Sequence, residues 1–98
     1  MSRPIRLHEG ADRELSDAAE YDDPERPGSG AVFMDSVEEA FARIRHYPEA
    51  AAEVARGVRG LTLPTFPHTV IHEVRDDIIR GLAIGQRRRR PFHWRGRG

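Results

Sequence analysis

The sequence predicts an α+β domain in which an N-terminal helical hairpin packs on one face of a small, mainly antiparallel sheet. Its 98 residues, 38% of them hydrophobic, are enough for one core but not for two. Apolar residues recur at helical spacing in the first half of the chain and alternate with polar residues in the second half. Consecutive helices followed by consecutive strands are typical of α+β domains. We therefore expect a single domain over residues 1–98.

A short strand and a first helix are predicted at the start of the chain. Residues 4–8 alternate, with Ile5 and Leu7 on one face, and Gly10 ends this strand. A helix follows to about Tyr21, and its early acids suit the positive end of the helix dipole. Its apolar positions at helical spacing are Ala11, Leu15, Ala18 and Ala19. Residues 22–30 hold two prolines and two glycines and predict a loop.

The second helix has the strongest periodicity in the sequence. Its apolar stripe consists of Phe33, Val37, Ala40, Phe41, Ile44 and Tyr47. Residues at this spacing share one face of a helix. The helix is expected to end near His46, because Pro48 disfavours helical backbone at the residue before it.

Three strands complete the predicted order of strand, helix, helix, strand, strand, strand. Residues 59–63 alternate and then meet a proline, which suits the end of a strand. Residues 66–74 hold Val70, Ile71 and Val74 between polar residues, and residues 78–84 are more densely apolar. The turn residues between these two segments predict a hairpin. Residues 49–56 suit a short helical turn, although their alanines bury little surface, and no element is assigned there.

The composition excludes several functional classes. The chain has no cysteine, which rules out disulfides, thiolate zinc sites and cysteine nucleophiles. It lacks an apolar run of about 18 residues that could span a membrane, and its first residues do not look like a secretory signal. A cytoplasmic location is therefore expected. Metal-ligand clusters, phosphate loops and nucleophile motifs are missing, so we expect no cofactor and no metal site.

The balanced total charge hides two opposite halves. Residues 1–49 carry six arginines and twelve acids, a net charge of −6, whereas residues 50–98 carry ten arginines and four acids, a net charge of +6. Much of the positive charge lies in a basic C-terminal tail over residues 87–98. Its arginines are Arg87, Arg88, Arg89, Arg90, Arg95 and Arg97. Such a run is often a solvated tail, but Phe92, His93 and Trp94 stand among these arginines and favour a surface that contacts an acidic partner.

Three histidines are candidates for a site. His68 and His72 point to the same face of a strand but lie about 13 Å apart at 3.3 Å per residue, too far to chelate one ion together. They either line a groove on the sheet or are partly buried positions that pack beside the helices. His93 stands among the tail arginines, where an imidazole could relay a proton while arginines stabilise a phosphate.

These residues together resemble the RelE/ParE toxin superfamily over nearly the whole chain. The family pattern is a proline after the second helix, an R-x-L-x-L strand, an F-P-Y-x-I-x-Y strand, an A-x-x-H segment and an R-x-P-x-Y-W end. The matching segments here, in order, are Tyr47-Pro48, residues 59–63, residues 66–74, residues 82–86 and residues 88–94. Each segment alone is weakly specific, but five in this order are specific.

The resemblance implies the toxin of a type II toxin-antitoxin module, held silent in a complex with a cognate antitoxin. The differences between this chain and the family pattern indicate which branch of the superfamily it resembles. The ribosome-dependent mRNA endoribonuclease branch has lysines near the second strand and an arginine where this chain has Thr69, and the chain has no lysine. Family tyrosine-like positions are His68, His72 and His93 here, and the family histidine is Gln86. Because these features of the ribonuclease branch are missing, the chain resembles the ParE branch more closely. Members of that branch inhibit DNA gyrase by binding it.

The predicted surfaces for a target or partner are the tail and a groove near His68 and His72. The residues are Arg59, read as partly structural, His68, His72, Gln86, Arg87, Arg88, Arg89, Arg90, Phe92, His93, Trp94 and Arg95. Two alternatives stay open. A ribonuclease would use His93, Arg87 and Arg89 for catalysis, with the ribosome and mRNA as partners. An inactive toxin would act only as an antitoxin-binding co-repressor.

Overall fold

The fold is a mixed sheet with two helices packed on one face. The computed structural model describes residues 3–22, 28–86 and 93–97. Its elements in chain order are β1 (Ile5–Leu7), α1 (Glu9–Asp22), α2 (Ser29–His46), β2 (Ala52–Ala55), β3 (Val58–Thr62), β4 (His68–Val74) and β5 (Ile79–Gln86). The strands lie in the order β1-β5-β4-β3-β2, with β1 parallel to β5 and the other neighbours antiparallel. The predicted α+β class is confirmed.

The main core lies between the helices and the sheet. From α2 it takes the predicted stripe except its last member. The sheet contributes Val70, Ile79 and Ile84, and Leu63 joins them directly after β3. Tyr47 is 70% exposed, because α2 ends at His46 and Tyr47 leaves the helical backbone with φ −136°. Within the described ranges, no helix has the length and apolar character needed to cross a membrane.

A strand that was not predicted from the sequence lies at one edge of the sheet. Residues 52–55 form β2, which pairs with β3, so four strands follow the helices instead of three. Most side chains of β2 are exposed, so its residues show no apolar alternation and only the backbone pairing defines it. Gly57 closes the β2–β3 hairpin with φ +75°, and its N–H donates to Glu53 Oε1 at 2.9 Å.

Substitution of Gly57 tests this hairpin. Gly57→Val is expected to lower the free energy of unfolding by about 1–2 kcal/mol, because a β-branched residue is strained at positive φ. Gly57→Asn is the matched control, since asparagine tolerates this backbone region, and it is expected to cost less than half as much. Denaturant unfolding of both variants measures the difference. Equal losses of stability in the two variants would show that the positive φ of this residue is not the reason for glycine at this position.

A bulge in β5 builds a second cluster on the face away from the helices. Ile71 is the partner of Ala83 and His72 is the partner of Gly81, so Leu82 is one extra residue in β5. Both Leu82 and Ala83 are buried in a cluster that also contains Val58, Ile71 and Trp94. Because a bulge locally changes the direction of side chains, the consecutive residues Leu82 and Ala83 both lie in this cluster, where Trp94 packs with them.

Candidate functional site

The two histidines of β4 lie inside the molecule. His68 is 3% exposed and His72 is 1% exposed. The ring of His68 meets Phe33 edge-on with centroids 4.9 Å apart, and its Nε2 accepts a hydrogen bond from the Gln86 amide at 3.2 Å. The prediction of a groove lined by these two histidines is therefore corrected: the helices cover that face of the sheet, and a partner would have to open the core to reach either ring.

His72 is a buried imidazole that lies near the backbone carbonyls of Val70 and Pro48. Its Nδ1 lies 3.3 Å from the Val70 carbonyl, while Nε2 has no hydrogen bond among the described residues. Burial lowers the pKa of His72 below 6.5, and the nearby charge of Arg59 acts in the same direction, whereas the carbonyls of Val70 and Pro48 oppose the shift. The ring is therefore neutral near pH 7.

The lowered pKa of His72 makes stability depend on pH. As the pH falls below 6.5, the unfolded chain takes up a proton that the folded chain refuses, so folding becomes less favourable until the folded ring also titrates. The free energy of unfolding then falls by up to about 1.4 kcal/mol per pH unit. In His72→Leu this loss is expected to disappear, whereas His46→Leu, at an exposed position, should keep it. Denaturant unfolding between pH 7.5 and 5 compares them; identical curves for wild type and His72→Leu would contradict the assignment.

Arg59 supports the edge of the sheet. Its Nη1 donates to the carbonyl of Ala51 at 2.8 Å, immediately before β2, and its Cα partner on β4 is His72. A guanidinium that is half-buried and bonded in this way holds β2 in place. The structural part of the role predicted for Arg59 is thus visible in its contacts.

Residues 93–97, here called the C-terminal turn, fold back onto the domain around Glu14. This carboxylate lies on α1 and is 8% exposed. His93 Nε2 lies 2.8 Å from Glu14 Oε2, and Arg97 Nη1 donates to Glu14 Oε1 at 2.9 Å. We call these three residues the Glu14 cluster. A buried carboxylate needs such partners, because burial without them would cost several kcal/mol.

The Glu14 cluster also covers a backbone edge of β5. The pairing of β1 with β5 ends at Gly81, which leaves the next part of that edge without a strand. There the Ile84 N–H donates to Glu14 Oε1 at 3.1 Å, and the Leu82 carbonyl accepts from Arg97 Nη1 at 3.1 Å. The two side chains therefore take the place of a neighbouring strand and protect an edge that would otherwise attract other chains.

Two glycines and the tryptophan fit the C-terminal turn to the domain. A Cβ on Gly10 would lie 2.7 Å from Arg97 Cζ, and one on Gly85 would lie 3.4 Å from His93 Cε1, so both side chains rest on bare backbone. Trp94 is 8% exposed and belongs to the second cluster. Trp94 was predicted as a contact residue, but the structure places it in the protein's own packing, because the bulged strand offers an apolar surface at that point.

The remaining predicted site residues divide into two groups. Gln86 and Arg95 are exposed, and Gln86 lies beside His68. The other predicted positions, Arg87, Arg88, Arg89, Arg90 and Phe92, lie outside the described residues. In the described part of the chain, no group of three or more metal-ligating side chains lies together.

Sequence reasoning missed Glu14, and it placed Arg97 in the tail predicted to contact a partner rather than on Glu14. Glu14 follows Ala11 by three residues and precedes Ala18 by four, so it stands on the apolar stripe of α1, where a carboxylate needs a partner. That position was the available signal. Arg97 carried none, because it resembled the other arginines of the tail.

Comparisons with known proteins find similarity among solved structures. No family model matches the sequence, and no curated protein matches it. Among solved structures, the chain resembles one from the "Chromosomal ParDE TA system from P. aeruginosa", with a TM-score of 0.75, 18% sequence identity, 87% of this chain covered and 96% of that chain covered. The two chains share a fold. The expected ParE-like fold, with consecutive helices followed by strands, is thereby confirmed.

Proposed function

We propose that this protein is the toxin of a type II toxin-antitoxin module and that it acts, as ParE-like toxins do, by binding DNA gyrase. The fold it shares with a chain of a ParDE system, over nearly all of that chain, carries the proposal. The ordered family-like segments of β3, β4 and the C-terminus add to it. The expected partners are a cognate antitoxin in a hetero-oligomer and gyrase, in the cytoplasm.

The described side chains favour action by binding over action by catalysis. Two of the histidines that replace family tyrosines are buried, so neither is within reach of a substrate proton. The third, His93, has one ring nitrogen engaged by Glu14 at 2.8 Å and is the one histidine of the three that a catalytic mechanism could use. The exposed Arg95 and the four arginines that follow Gln86 are the residues we propose for target contact, because arginine forks bind carboxylates and phosphates bidentately.

One contact favours a second candidate, a ribonuclease. A carboxylate that holds one nitrogen of an imidazole is the usual arrangement of an oriented general base, and Glu14 holds His93 in this way. In that case His93, assisted by Arg87 and Arg89, would cleave mRNA on the ribosome. The two mechanisms predict different behaviour of one variant.

The deciding experiment is induced expression of the protein without antitoxin in bacteria, with RNA integrity and DNA supercoiling followed through the first minutes of growth arrest. Gyrase inhibition is expected to relax DNA and leave messages intact. In His93→Gln the side-chain amide still bonds Glu14 but cannot relay a proton, so a binding toxin keeps its activity and a ribonuclease loses it.

Exposed arginines provide the control series. Arg95→Gln is expected to weaken arrest partially, because many contacts share the binding energy, whereas Arg56→Gln, exposed in the β2–β3 turn, should leave it unchanged. Cleaved messages with normal supercoiling would replace gyrase by the ribosome as the target. Antitoxin binding without any arrest would identify a co-repressor and contradict the toxin proposal.

A further inference from the structure

Two arginines face each other at the parallel end of the sheet. Arg6 on β1 is the Cα partner of Arg80 on β5, and neighbouring strands lie about 4.8 Å apart. Arg80 is in turn the partner of Glu73, and Glu73 is the partner of Val58. Because Val58 belongs to the second cluster, this row of side chains lies on the face away from the helices.

This pair has one carboxylate in its row, that of Glu73 opposite Arg80, in the part of the chain that the structure describes. Neither guanidinium takes part in a hydrogen bond or ion pair there, and Arg6 is exposed while Arg80 is half-buried. The nearest carboxylate in the row is engaged, since Glu73 Oε1 accepts from Arg75 Nε at 2.6 Å. Like charges directly opposite each other destabilise a sheet. A bound anion would turn this repulsion into two charge-assisted hydrogen bonds.

The surrounding charges select the kind of anion. Glu73 continues the row, and Asp76 and Asp77 occupy the adjoining turn beside Arg75 and Arg3. A continuous polyanion such as nucleic acid would be repelled by these carboxylates, whereas a single carboxylate fits between two guanidiniums. We propose that the Arg6–Arg80 pair binds a carboxylate side chain from an acidic segment of a protein partner. This inference rests on the proposed function, in which that partner is the antitoxin.

A hexaglutamate peptide is the probe. With the full chain at low ionic strength and the peptide at about ten times its dissociation constant, the Tm is expected to rise by several degrees. The double variant Arg6→Gln/Arg80→Gln should show a clearly smaller rise than the wild type, since binding of the peptide to the C-terminal arginines is common to both. Arg56→Gln, exposed at the other end of the sheet, should keep the full rise. Backbone amide NMR shifts in β1 and β5 should move on titration in the wild type.

A second measurement needs no ligand. Removal of the repulsion is expected to raise the Tm of the double variant by about 1–3 °C at low salt, and 1 M salt should close this gap. An equal response of wild type and double variant to the peptide would overturn the proposal. So would tighter binding of an oligodeoxynucleotide through the same two arginines. Both measurements use purified protein, so absence of growth arrest by the wild type would contradict the proposed function and leave this site standing.

Discussion

Phe33→Ala is expected to lower the free energy of unfolding by about 3–5 kcal/mol, a large part of the stability of a domain of this size. Phe33 is 0% exposed. Its ring lies edge-on to Phe66 with centroids 5.1 Å apart and edge-on to His68 at 4.9 Å. Truncation removes both ring contacts and leaves a cavity beside a buried imidazole, which the rigid sheet cannot fill by collapse.

Val32→Ala is the matched control for this variant. Val32 precedes Phe33 on the same helix but is 58% exposed, so its truncation is expected to change stability by less than about 0.5 kcal/mol. Urea unfolding followed by the fluorescence of Trp94, the single tryptophan, measures both. A loss below 1 kcal/mol for Phe33→Ala would mean that the helices and the sheet do not pack as described.

Glu14→Ala is expected to release the C-terminal turn and to cost about 2–3 kcal/mol. Removal of one partner from a buried ion pair costs about 3–5 kcal/mol when the other charge stays buried. Here the side chains of His93 and Arg97 are 16% and 22% exposed, so both can turn toward water and the loss is smaller. The Ile84 N–H also loses its acceptor.

The fluorescence of Trp94 separates release of the C-terminal turn from global unfolding. Since Trp94 is buried on the sheet by this turn, Glu14→Ala should shift its emission to the red while circular dichroism keeps the signal of helices and strands. Glu20→Ala, exposed on the same helix, should show neither the shift nor the loss. Glu14→Gln keeps an acceptor for Ile84 but loses the charge, so an intermediate effect is expected. An unshifted Trp94 spectrum in Glu14→Ala would contradict the role of the Glu14 cluster.

The helices and the central strands were predictable because their signals are local. Each core position of α2, from Phe33 to Ile44, follows a period of 3.6 residues, and Val70 and Ile84 stand in apolar runs of strand length. The period and the order of elements together imply the α+β class. These properties depend on residues a few positions apart, and a single sequence contains that information.

Only the tertiary structure decided which distant parts of the chain are in contact. The strand β2 exists because β3 offers it backbone partners, the extra residue Leu82 is visible only against β4, and the burial of His68 depends on a ring from α2. The Glu14 cluster joins Glu14 to His93, which is 79 positions away in the sequence, and to Arg97, which is 83 positions away. Arg6 and Arg80 come from distant parts of the chain and face each other on neighbouring strands. No periodicity encodes such pairs. They form because a buried charge or an open strand edge must be satisfied by whatever the fold brings near, and the fold alone decides what that is.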